Sequence, residues 1–212
     1  MRIISLQSEA DWPMAVQEAV RTLEYSGTVV YPTDTVYGLG ANALNPVAVR
    51  KIFRIKERST EKALPILARN LFWASELAHI EGRNKDIARA VWPGQVTLVL
   101  PKKDIVPGDT TGGMHTVALR VCEHPFVNAL LDAFGYPLTG ASANVSGHEG
   151  LRDISAVLQE FEQASYQPDL VIDAGVLPPS GPSTVLDVSN TRPKILRVGA
   201  TRPEELMKIL EL

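Results

Sequence analysis

Helical and strand patterns alternate along nearly the whole chain, and this alternation constrains the fold more than any motif. Val16, Ala19, Val20 and Leu23 follow the i, i+3, i+4, i+7 spacing of a buried helix face, with Gly27 placed to end it. A strand-like run at 28–31 follows. Asn45 and Pro46 then read as a helix start, a capping amide followed by a residue suited to the first turn. Strands are expected at 63–67, 96–100, 117–121, 170–173, 184–188 and 195–198. Helices are expected after the caps Asn70, Asn84 and Asp153, and on the apolar face Phe126, Leu130, Leu131 and Phe134 before Gly135. Thr201 and Glu204 suggest a capping box for a last helix with Leu206, Ile209 and Leu210 inward. The pattern predicts one α/β layer structure over 1–212, built on one twisted sheet with mixed parallel and antiparallel pairing and helices flanking it.

Composition bounds the rest. A chain of 212 residues with 45% hydrophobic and 21% charged residues can bury a core without staples. The single cysteine, Cys122, cannot form an internal bridge, and the first residues turn polar at once. No apolar run reaches membrane-spanning length. These features point to the cytoplasm and away from a membrane. The net charge of −3 argues against wholesale nucleic-acid binding. Yet Arg50, Lys51, Arg54, Lys56, Arg58, Lys62 and Arg69 stand against only Glu57 and Glu61 in that stretch. Such an imbalance inside an acidic protein suggests an anion site.

The chemistry concentrates in a few segments. The turn Pro32-Thr33-Asp34-Thr35 is rich in hydroxyls. Gly38-Leu39-Gly40 lacks the third glycine of a dinucleotide fingerprint and reads as a tight turn. Lys56 and Arg58 end the helix that starts at Asn45; a point charge beside a planar fork suits a triphosphate, and snorkelling cations at a helix C-terminus are an equally good reading. To reach one ligand the helix must stop before Arg58, so an irregular 57–61 segment is expected. Far downstream, Ser142-Ala143-Asn144-Val145-Ser146-Gly147 offers small residues, donors and acceptors. Arg120 sits in an apolar strand, where its charge needs an anion, either a structural carboxylate or a ligand. Arg197 repeats the pattern. Neither a phosphate loop nor a metal-ligating His/Cys spacing occurs.

Taken together, the chain resembles the YrdC/Sua5/YciO/YwlC family, the threonylcarbamoyl-AMP synthases. The resemblance rests on the separated Lys-x-Arg and Ser-x-Asn pairs, here Lys56/Arg58 and Ser142/Asn144. It rests also on the 31–39 stretch, Trp92-Pro93-Gly94 with Thr97-Leu98, Ala118-Leu119-Arg120-Val121, Pro182-Ser183-Thr184 and Arg197-Val198-Gly199-Ala200. It implies a concave basic cavity and a reaction of L-threonine, bicarbonate and ATP, with Mg²⁺, giving threonylcarbamoyl-AMP and pyrophosphate. A separate complex would then transfer the threonylcarbamoyl group to a tRNA adenosine, with at most weak tRNA contact here. It implies catalytic roles for Lys56 and Arg58. ATP would be held by Lys56, Arg58, Lys62, Thr116, Ser142, Asn144 and Arg197, threonine by Thr33, Thr35, Arg120 and Ser183, and no protein-bound metal is expected. The chain resembles the single-domain type. Three departures are Ala63, Cys122 and Ala141, where proline, or for Ala141 proline or threonine, is common in the family. The alternative is an RNA-binding or ribosome-associated protein of the same fold, like YciO, without synthase activity.

Overall fold

The computed structural model describes residues 1–210 and divides the strands between two mixed sheets rather than one. The first runs β1 (Arg2–Ser5), β9 (Leu170–Asp173), β2 (Val29–Tyr31), β3 (Gly38–Gly40) and β8 (Ala141–Ser142). The second runs β11 (Lys194–Arg197), β10 (Thr184–Asp187), β5 (Val96–Pro101), β6 (Thr116–Val121), β4 (Ile66–Ala68) and β7 (Leu138–Thr139). Parallel and antiparallel pairs occur in both, as expected. The chain passes from one sheet to the other at Gly140, between β7 and β8, where its amide donates to the Pro65 carbonyl at 2.7 Å.

Helices α1 (Trp12–Glu24) and α6 (Pro125–Phe134) pack together over the first sheet, with Trp12 edge-on to Phe126. Helix α2 (Pro46–Ile55) buries Val49, Ile52 and Phe53 as read. Its Asn45 side chain accepts from the Val47 and Ala48 amides. Helices α3 (Leu71–Leu77), α4 (Arg83–Val91), α5 (Gly108–Thr111), α7 (Ile154–Glu162) and α8 (Pro203–Ile209), with a short 3-10 helix at Glu9–Asp11, complete the described elements. Asn70 and Asp153 cap α3 and α7 as expected.

Several local readings are corrected. Ser26, not Gly27, takes the left-handed conformation after α1 (φ 58°). Gly27 is required for space, since a Cβ there would lie 2.5 Å from the Thr22 carbonyl oxygen. Gly82 rather than Asn84 starts α4, and Arg202 rather than Thr201 stands at the start of α8 with no side-chain cap. In α8 Leu206 is buried, but Ile209 is exposed. The strand expected at 63–67 begins only at Ile66. Gly38-Leu39-Gly40 is not a turn but a buried strand pairing with β2 and β8. Its glycines exist because the buried Tyr31 ring lies across them: a Cβ would come within 2.7 Å of that ring at Gly38 and 2.4 Å at Gly40. The Tyr31 hydroxyl donates to the Thr139 carbonyl at 2.8 Å, tying the first sheet to the second. No described helix is long and apolar enough to cross a membrane.

Candidate active site

Elements of both sheets line one cavity of about 270 Å³. Helix α2 delivers its cationic wall. The helix ends at Ile55, and Lys56 is its C-cap. Glu57 then adopts φ 48°, and the Glu57 and Arg58 amides donate to the Arg54 and Phe53 carbonyls. This is the left-handed close that usually recruits glycine. It turns the chain so that Lys56 and Arg58, two residues apart, both face the cavity. The irregular segment expected after the helix is present from Lys56 to Lys62.

The two cations are used differently. Lys56 is 3% exposed, and its Nζ donates to the Ser142 carbonyl (2.5 Å), the Asn144 carbonyl (2.7 Å) and Asn144 Oδ1 (3.5 Å). Its own carbonyl accepts from the Ser146 amide at 2.8 Å. The Lys-x-Arg and Ser-x-Asn segments are therefore one interlocked unit. Burial first, then the Arg58 charge, lowers the Lys56 ammonium to about 7, while Glu160 acts in the opposite direction. Three acceptors around Nζ need three protons, so the geometry selects the charged form. Arg58 donates through Nε to the Lys62 carbonyl (3.4 Å) and through Nη2 to the Ala63 carbonyl (2.9 Å). Its Nη1 finds no acceptor among the described residues, and Arg58 is one of the residues that line the cavity. Burial lowers the guanidinium from its usual value.

The opposite wall comes from the turn after β2 and from β6. Arg120 is 6% exposed. Its Nη2 pairs with Asp34 Oδ1, its Nη1 donates to Thr35 Oγ1 at 3.0 Å, and its Nε donates to the Gly94 carbonyl at 2.9 Å. The anion that a buried arginine needs is thus supplied by Asp34, the structural alternative weighed for this residue. Two N–H groups remain on the fork. Thr33 donates to the Val36 carbonyl at 2.6 Å and accepts from the Thr35 amide. Its contact with Thr35 Oγ1 at 3.0 Å is then donated by Thr35, which leaves Thr35 with an acceptor lone pair toward the cavity. Cys122 donates its thiol to Asp34 Oδ1, and burial raises that thiol to about 12, so it stays neutral.

A third wall joins β10 to β11. Ser183 Oγ meets Thr97 Oγ1 at 2.8 Å and accepts from Arg197 Nη2 at 3.2 Å. Arg197 also donates twice to the Ser183 carbonyl, and it borders a second cavity of about 750 Å³ shared with Ser142, His148 and Pro182. Burial, then Arg120, lowers the Arg197 guanidinium.

Lys56, Arg58, Thr33, Thr35, Arg120, Ser142, Asn144, Ser183 and Arg197 all line the cavity. Lys62 and Thr116 do not. Lys62 is exposed, and only its carbonyl contributes, as acceptor for Arg58. Thr116 pairs with Pro101 at the start of β6, roughly 13 Å along the strand from Arg120. Sequence reasoning passed over Ser146, whose Oγ is buried without a partner while its residue lines the cavity. It lies in the quoted segment, and a buried hydroxyl left without a partner is costly.

Two mixed sheets line a basic, hydroxyl-rich cavity in which a Lys-x-Arg helix end is locked to a Ser-x-Asn turn, an arrangement that belongs to one class of fold. The chain belongs to the Sua5/YciO/YrdC family: the profile of that family, described as telomere recombination, matches residues 21–199. A threonylcarbamoyl-AMP synthase of Pyrococcus abyssi is 37% identical over 86% of this chain and 53% of its own length. The structure of P. abyssi Sua5 complexed with L-threonine superposes with a TM-score of 0.88 at 32% identity, covering 98% of this chain and 60% of that one. E. coli YciO superposes with a TM-score of 0.82 at 26% identity, covering 93% of this chain and 94% of that one. The chain thus spans a little over half the length of the Pyrococcus proteins it matches.

Proposed function

We propose that this chain forms threonylcarbamoyl-AMP and pyrophosphate from L-threonine, bicarbonate and ATP, as a nucleotidyltransferase serving threonylcarbamoyl modification of a tRNA adenosine. The observation that carries the reading is the single cavity shared by Arg58, the Lys56-held Ser142–Asn144 segment, Ser146 and the Thr35–Arg120 wall. A P. abyssi relative crystallised with L-threonine supports the choice of amino acid.

The chemistry follows from these groups. The threonine amine adds to carbon dioxide from bicarbonate and loses a proton, giving a carbamate. A carbamate oxygen attacks the α-phosphorus of ATP, the new P–O bond forms, and the bond to the β-phosphate oxygen breaks to release pyrophosphate. The protein positions reactants and stabilises charge. Arg58 is the cation with donors to spare for phosphate oxygens. Lys56 spends its protons on the Ser142 and Asn144 carbonyls and acts through its charge and through the shape it gives that segment. On the other wall, the remaining Arg120 donors suit the threonine carboxylate and the Thr35 lone pair suits its amine or hydroxyl. Ser183 suits the threonine end, as the resemblance implies, and Arg197, which donates to it, stands at the nucleotide-facing edge. Lys62 and Thr116 carry no direct role in this arrangement.

The donor set does not fit a protein-held Mg²⁺. Asp34 is committed to Arg120 and Cys122, and among the described residues no three His, Cys, Asp or Glu side chains converge. Mg²⁺ would travel on the triphosphate.

Pyrophosphate release that requires both threonine and bicarbonate tests the reading; equal release without threonine overturns it. The near-complete length match with YciO favours one second reading, the same fold with another activity. It predicts nucleotide or RNA binding without threonine-dependent pyrophosphate.

A further inference from the structure

Glu160, near the end of α7, does not line the cavity, yet one of its oxygens holds the segment that does. Oε1 accepts from the Val145 amide at 2.9 Å and meets His148 Nδ1 at 2.6 Å. One carboxylate oxygen thus pins both ends of the 145–148 turn. Within that span Asn144 Nδ2 donates to the Val145 and His148 carbonyls, the Ser146 amide donates to the Lys56 carbonyl, and the Ser146 hydroxyl is the buried orphan. The Glu160 side chain is 18% exposed, so its bonds are only partly challenged by water.

We propose that Glu160 is a positioning residue for the nucleotide end of the site: its carboxylate fixes the 145–148 turn so that Ser146 and Asn144 line the cavity beside the Lys56–Arg58 segment. The naming of that end as nucleotide rests on the proposed function; the clamp itself does not. The carboxylate has a second effect. The charged groups that act on Lys56 are Arg58, which follows it on the same segment, and Glu160, with His148 against the Glu160 oxygen. Arg58 favours the neutral amine and Glu160 the ammonium, so the clamp also keeps charged the group that holds the Ser142 and Asn144 carbonyls.

Three substitutions separate these effects. Glu160→Gln keeps an acceptor for the Val145 amide and removes the charge, Glu160→Asp keeps the charge and shortens the reach, and Glu160→Ala removes both. Glu160→Ala is expected to raise the KM for ATP about tenfold and to leave the KM for threonine unchanged, because among the described residues no hydrogen bond joins the Thr35–Arg120 wall to the turn. A melting point lowered with both KM values raised equally would mark Glu160 as merely structural and overturn the proposal. A second readout needs no activity. Lysine labelled with ¹³C at Cε is titrated by NMR in the free protein, with Lys56 assigned through Lys56→Arg. Glu160→Gln is expected to move the Lys56 midpoint down by roughly half a pH unit or more, and Glu160→Asp to restore most of it. An unmoved midpoint in Glu160→Gln overturns the link to Lys56. If the wild-type protein releases no threonine-dependent pyrophosphate, the reaction assignment fails, and the titration still judges the link to Lys56. Amide hydrogen exchange then judges the clamp: exchange at Val145 is expected to speed up in Glu160→Ala, and unchanged exchange overturns it.

Discussion

Two walls of the cavity, those of Arg58 and Arg120, each carry a buried or half-buried arginine, and they treat it in opposite ways. Arg120 is matched before any ligand arrives, by Asp34, Thr35 and the Gly94 carbonyl. Arg58 is held by two carbonyls on one edge and keeps donors open on the other. A matched cation sets shape and stability; an open one reads charge. The same contrast runs through the hydroxyls, with Thr33 saturated and Ser146 unpartnered.

The largest effect is expected where the matched wall is broken. Asp34→Ala leaves Arg120 buried beside no carboxylate and should cost about 3–5 kcal/mol of stability, read by denaturant unfolding, with threonine use lost before ATP binding. Stability unchanged by this substitution would mean that Arg120 is not committed to Asp34. Breaking the open wall should do the reverse. Arg58→Ala is expected to cost at most about 1 kcal/mol of stability, while nucleotide affinity measured by calorimetry falls about ten- to a hundredfold. Arg58→Lys should recover only part, because a point charge cannot reproduce a planar fork.

A smaller effect sharpens the comparison through pH. Lys56 sits near 7 in the folded chain against an ordinary 10.5. Between those values the unfolded chain binds more protons, so the Lys56 contribution to stability is complete above 10.5, falls as pH drops through that window and is gone by about 7. Nucleotide affinity should run the other way and weaken as pH rises through about 7, since the ammonium is the form that serves the site. Lys56→Arg should abolish that pH dependence; an unchanged profile would show that another group sets it. The smallest effect is expected at Cys122→Ser, which keeps a donor to Asp34 and should move stability by less than about 1 kcal/mol.

What the sequence made legible was local. The Asn45–Pro46 start of α2, the stop before Arg58 and the Asp153 cap follow from chemistry within a few residues. The joint placement of Lys56, Arg58, Ser142 and Asn144 was legible only through their resemblance to a known pattern, because 86 residues separate Lys56 from the Ser142 carbonyl it holds. The division into two sheets was hidden for the same reason: β1 pairs with β9 across most of the chain. Gly38-Leu39-Gly40 read as a turn because glycine carries no alternation signal, and its strand character comes from the Tyr31 ring. Asp34 as partner of Arg120 was also out of reach. Nothing in a hydroxyl-rich turn announces which distant strand it will neutralise.

The Tyr31 ring across Gly38 and Gly40 makes the three positions a single historical unit. An alanine at 38 or 40 has no room while the ring is present, and a smaller residue at 31 would leave a void over two bare glycines and release the Thr139 carbonyl from its donor. Neither change is tolerable first. Drift in this strand pair therefore requires paired substitutions or a weakened intermediate, and lineages descended from a common ancestor should keep all three residues or replace them together.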